Sequence, residues 1–194
     1  MKKLSLMTML AAAALAFQSC GGASNDSKAN ADSANYTKDT SENATTTGGI
    51  AVVNDDAEFA VAAANGGMAE VELSKVAETK ATNAKVKEFA TMMTKDHMTA
   101  NEELMALAKT KNITLPTTVG VDEQKTMGDL QKKSGAEFDK DYVDVMVTDH
   151  KKTIDLFEKA STDAKDAEIK SFAIKTLPTL KNHLAAIEAI QKGM

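Results

Sequence analysis

The chain contains no arginine and no tryptophan, a single cysteine, two prolines and ten glycines in 194 residues. Each shortage excludes something. Without arginine there is no guanidinium fork to read guanine or clamp phosphate, and a net charge of −5 repels a phosphate backbone, so no nucleic-acid partner is expected. A lone cysteine rules out an intramolecular disulfide and any cysteine-cluster metal site. Aromatic residues make up only 4% of the chain, which disfavours β-sandwiches and barrels with their aromatic strands and frequent turns. What is present suffices for a packed core: 43% of residues are apolar and 26% charged.

The N-terminus reads as an address. Lys2 and Lys3 precede an apolar stretch from Leu4 to Phe17, shorter than the roughly 20 residues a membrane-spanning helix needs. A basic start and a short apolar core make residues 1–19 a secretory signal peptide. The stretch ends at Ser19-Cys20-Gly21-Gly22, which resembles a bacterial lipoprotein lipobox, although Phe17-Gln18 departs from its stricter form. Cys20 is the expected lipidation site, and the membrane, reached through that lipid, is the expected partner. This places the protein in the envelope of a Gram-negative bacterium, facing the periplasm or anchored to the outer membrane. Residues 20–55, rich in Ala, Ser, Asn, Asp, Thr and Gly, lack the apolar surface to offset ordering entropy and are expected to form a disordered tether.

From residue 56 apolar residues recur at intervals of three and four, the spacing of one helical face. The pattern predicts long helices over about 56–81, 83–111, 136–161 and 164–192, with Asn83 and Asp163 as N-caps and Gly193 ending the last. The first two segments and the last two are joined by very short turns and so are antiparallel neighbours. Between the second and third, Leu115-Pro116 breaks the helix, a shorter helical run spans Asp122–Lys133, and Gly135 interrupts again. The expected fold is all-α: a ferritin-like four-helix bundle over residues 56–192 with a long crossover containing a short helix. An up-down-up-down bundle is the alternative. Pro178 predicts a kink or a fresh helix start, and no repeat of fixed period is apparent.

An ordered set of short motifs runs along this region. Gly66-Gly67-Met68-Ala69-Glu70, then Phe89-Ala90 leading into Lys95-Asp96-His97, lie in the first half. Phe138-Asp139 with Tyr142, His150 followed by Phe157, and Leu177-Pro178 followed by His183-Leu184 lie in the second. Together they resemble the domain of unknown function 4142 family, a ferritin-like group of bacterial envelope proteins. The resemblance covers about residues 56–192. It implies a helical bundle in the envelope and brings no established activity.

Ferritin-like di-metal chemistry needs a Glu-x-x-His pair on each of two helices. Here the residues three before His97, His150 and His183 are Thr94, Val147 and Leu180, so a di-iron enzyme is not expected. Phosphate loops, nucleophile elbows and His-Glu-x-x-His are absent, and no catalytic residue is assigned. Instead each long helix places one titratable residue in its apolar seam: Glu70, His97, His150 and His183. Counting residues from the turns predicts a layer of Glu70, His97 and His150. It puts His183 about 10 Å away, paired with the Tyr142 hydroxyl. Two functions follow. One is a non-enzymatic structural, interaction or stress-related module with a satisfied polar core and no identified protein partner. The other is a metal-binding or metal-sensing bundle, in which Glu70, His97 and His150 hold Zn, Fe or Cu and water completes the shell. Met68, Met92, Met93, Met98, Met105 and Met146 lie near the seams, where thioethers serve Cu(I) or fill the core. Without metal, the Glu70 charge is expected to keep its imidazole partner protonated.

Overall fold

The computed structural model describes residues 26–38 and 53–194. Six helices and no strand are found among them: α1 (Ser27–Tyr36), α2 (Asn54–Lys80), α3 (Ala84–Thr110), α4 (Val121–Gln131), α5 (Gly135–Asp163) and α6 (Ala167–Lys192). The expected signal peptide and the expected lipidation site Cys20 lie outside the described residues. No described helix is long and apolar enough to cross a membrane.

The four long helices follow from the seam pattern. On α3 the buried positions are Val86, Phe89, Ala90, Met93, His97, Leu104 and Ala108, one stripe at helical spacing. The stripe on α2 is broader and rich in alanine, and small residues let neighbours approach on several sides; this helix packs against α1, α3, α4 and α5. Asn83 caps α3 by accepting from the Lys85 N–H at 2.9 Å. The cap of α6 is Asp166, accepting from Glu168 and Ile169, not Asp163, which is the last residue of α5. Pro178 sits inside α6, which runs through it as one helix from Ala167. Gly135 takes φ +60° where the connection turns into α5, a conformation glycine adopts without a Cβ clash.

Two buried carboxylates fix how the hairpins meet. Asp56, in the first turn of α2, accepts from the Lys165 and Asp166 N–H groups at 3.0 and 2.7 Å. Asp139, near the start of α5, accepts from the Thr82 and Asn83 N–H groups and the Thr82 hydroxyl at 2.5–3.1 Å. The start of α2 therefore lies at the α5–α6 turn, and the start of α5 at the α2–α3 turn. So α2 and α5 are antiparallel, α3 and α5 run the same way, and residues 111–134 return along the bundle between them. Asn65 in α2 holds this return by accepting from the Gly120 N–H at 2.7 Å.

A repeat that the sequence pattern alone did not expose appears once these turns are superposed by number. Residues 81–90 and 164–173 read Ala-Thr-Asn-Ala-Lys-Val-Lys-Glu-Phe-Ala and Ala-Lys-Asp-Ala-Glu-Ile-Lys-Ser-Phe-Ala. The same offset relates Asp56 to Asp139.

Helix α1 lies within the expected disordered tether and departs from that expectation. The Asp26 side chain caps it. Its Asn35 carboxamide brackets Thr114, donating to the carbonyl at 2.8 Å and accepting from the N–H at 2.7 Å. Ser27 Oγ accepts from Thr117 N–H, and Ala31 is the one apolar residue of α1 in the buried core. The helix is held by hydrogen bonds to the connection more than by apolar area, so hydrophobic patterning gave no sign of it.

Candidate metal centre

Two apolar clusters fill the bundle. Phe59, Leu104, Phe157, Phe172 and Leu180 belong to the one at the α5–α6 turn. Leu73, Phe89, Met93, Tyr142, Met146 and Ile187 belong to the one at the α2–α3 turn. Between them lies one polar layer of Glu70, His97, His150 and His183, each 5% exposed or less. Each long helix contributes one member, because a single seam position on each falls at this level.

The Glu70 carboxylate oxygens stand 3.0 Å from His97 Nδ1 and 3.3 Å from His150 Nδ1, so the expected trio does meet. Neither approach is aligned as a hydrogen bond, and both oxygens lack a bonded partner. The expected exclusion of His183 is overturned. Its ring centroid lies 5.3 Å from that of His97 and 5.6 Å from that of His150. The reason is the later start of α6: counted from the turn, His183 is closer in height to His150 than to Tyr142. The Tyr142 hydroxyl pairs instead with Ser74 Oγ at 2.9 Å.

The three imidazoles share one arrangement. His150 Nδ1 donates to the Met146 carbonyl at 2.9 Å, His183 Nε2 donates to Asp96 at 3.0 Å, and His97 Nδ1 faces Glu70. The remaining nitrogen of each ring, His97 Nε2, His150 Nε2 and His183 Nδ1, is buried without a partner. One donor atom from each of the three histidines lies within 4.8 Å of the others. Tetrahedral ligation at about 2.0–2.1 Å sets nitrogen donors about 3.4 Å apart, a gap that small ring movements close. Metal-binding histidines commonly give their other N–H to a carboxylate or backbone carbonyl, as His183 and His150 do here.

Burial governs protonation. It pushes the Glu70 carboxyl up to about 8, with the Asp149 charge adding to the effect. It holds His97 well below the ordinary histidine value, helped by His150 and His183. It takes His150 down to about 4, against the opposing bond to Met146 and with some help from His183. The expectation of an imidazolium beside a Glu70 carboxylate is thus reversed, because an apolar enclosure penalises both charges. At neutral pH His97 and His150 are neutral, the state in which their lone pairs bind metal.

A pocket of about 30 Å³ adjoins the layer between α3 and α6, touching Glu70, His97 and His183 and running out past Asn101, Thr176 and Thr179. No methionine lines it. Met93 and Met146 are buried in the neighbouring apolar cluster, and Met98 and Met105 are exposed, so the histidines have no thioether companion in this pocket. Sequence reasoning missed Asp96 and Asn101. Asp96 stands beside His97 in the quoted motif, but its partner on α6 is visible only in three dimensions.

A family model described as Domain of unknown function (DUF4142) matches residues 40–190. No curated protein matches the chain, and no solved structure does.

Proposed function

We propose, for a chain that belongs to the domain of unknown function 4142 family and inherits no activity from it, that it is a transition-metal-binding module of the bacterial envelope. The observation that carries this reading is a set of three buried imidazoles from three helices, each with one nitrogen unpartnered and each bringing a donor atom within 4.8 Å of the other two. Buried polar groups are normally satisfied, and three unpartnered nitrogens on neighbouring rings are costly unless a cation answers them. Imidazole donors suit Zn²⁺, Cu²⁺, Ni²⁺ and Fe²⁺. Of the two functions read from the sequence, this is the metal-binding one. Glu70 moves from ligand to neighbour of the ligand His97.

The same-direction run of α3 and α5, with the connection returning between them, supports a ferritin-like four-helix arrangement over the up-down-up-down alternative. The lipobox-like Ser19-Cys20 supports attachment through a lipid on Cys20, which intact-mass measurement of the native protein checks.

Metal analysis of the full chain, purified without chelator, tests the function. One equivalent of metal is expected, and it is lost in His97→Ala, His150→Ala and His183→Ala. A chain that takes up no zinc, copper, nickel or iron after dialysis against each overturns it.

A further inference from the structure

The three histidines supply three donors, one short of a tetrahedral shell. Glu70 does not provide the fourth, because its oxygens face the Nδ1 side of His97 and His150, while the orphaned nitrogens of those rings are Nε2. What adjoins the cluster instead is the pocket between α3 and α6, about 30 Å³, room for one or two water molecules.

We propose that the metal keeps its fourth position toward this pocket and binds there a small monoanion of two or three heavy atoms with an oxygen or nitrogen donor. The inference rests on the metal-binding reading above. Three observations carry it. First, imidazole ligands bring no negative charge to the ion itself, and the nearest carboxyl groups, Glu70 and Asp96, stand behind the rings, which favours an anion over a neutral fourth ligand. Second, Leu104, Phe172 and Leu180 wall the pocket, while Asn101, Thr176 and Thr179 put polar groups at its outer end; a small ligand passes and a large one does not. Third, the outer end is built around a glycine. A Cβ on Gly67 would stand 2.2 Å from Asn101 Oδ1. The bare α2 backbone there is what lets the Asn101 side chain lie against α2. Gly66, the adjacent glycine, has nothing within 4 Å of such a Cβ.

The experiment uses the full chain loaded with Co²⁺, whose visible absorption reports ligand number and type, and titrates azide as the probe. The expected result is a saturable change in the cobalt bands, at one azide per metal. Asn101→Leu, which removes the amide and keeps the bulk, weakens azide binding at least tenfold. Gly67→Ala, which forces Asn101 to move, does the same. Cobalt content is measured for every variant, so a misfolded protein is recognised by its missing metal and Asn101→Leu still decides the question. Cobalt bands indifferent to azide overturn the inference and leave the metal reading standing, as does an Asn101→Leu response equal to that of the unaltered chain. A chain that retains no cobalt, zinc, copper or nickel overturns both.

Discussion

His183 gives its Nε2 hydrogen to Asp96 at 3.0 Å across the α3–α6 interface, so its buried Nδ1 keeps the lone pair, in a ring whose centroid is 5.3 Å from that of His97 and 5.6 Å from that of His150. Asp96 is partly exposed, with a side chain 35% accessible, whereas His183 is 2% exposed. A surface carboxylate therefore sets the tautomer of a buried ring.

Asp96→Ala should weaken metal affinity about 10–100-fold, the usual cost of losing the group that orients a histidine ligand. Competition with a chromophoric chelator measures it. An affinity equal to that of the unaltered protein would show that the Asp96 bond does not orient His183 for metal.

The metal-free protein should have a stability maximum near pH 6–7. The Glu70 carboxyl is raised in the fold to about 8 from 4.5. Its contribution is full below 4.5 and is lost as pH rises through about 8. His150 is lowered to about 4 from 6.5, and burial also holds His97 well below 6.5. Their contribution is full above 6.5 and is lost as pH falls toward the folded values. Urea unfolding across pH 4–9 reads both limbs, and Glu70→Gln should flatten the decline between pH 6.5 and 8 while keeping the acid limb.

Asp139→Ala should destabilise the bundle by about 3 kcal/mol, because one buried carboxylate satisfies two backbone N–H groups and a hydroxyl at the α2–α3 turn. Asp56→Ala, which strips two N–H partners at the opposite turn, should cost somewhat less. Chemical denaturation at constant m-value ranks the two.

Asn35→Ala should release α1 without unfolding the bundle. Both of its bonds go to Thr114, and α1 contributes little buried apolar surface. Hydrogen exchange should show faster exchange over residues 27–36 and at Thr114, with α2, α3, α5 and α6 unchanged.

The four long helices were legible because their seams recur at helical spacing, and counting from the first turn brought Glu70 level with His97. The same counting failed for His183. The α5–α6 turn occupies residues that the pattern assigned to the helix, and a shift of three residues moves a side chain about 4–5 Å along the axis. The roles of Asp56, Asp139 and Asp96 left no trace in the pattern. Asp56 in a first turn reads as a local helix start, whereas the partners of all three lie on another hairpin or another helix. Tautomers were equally hidden, since they depend on which ring nitrogen meets a neighbour. Burial of Glu70 was foreseen, but its protonation was not, because counting gives the level of a residue and not the dielectric around it.

The offset that relates Asp56 to Asp139 also bears on how the polar layer is assembled. Two hairpins that share their turn sequence and clasp each other reciprocally are the expected descendants of one duplicated hairpin. Under that correspondence Glu70 aligns with Thr153, His97 with Leu180, His150 with Gly67 and His183 with Ala100. No layer member aligns with another. The turns and their aspartates repeat between the halves, but the polar layer does not: each of its members stands where the counterpart position holds a small, hydroxylic or apolar residue. Each half contributes its own pair, Glu70 with His97 and His150 with His183, and neither hairpin alone carries the layer.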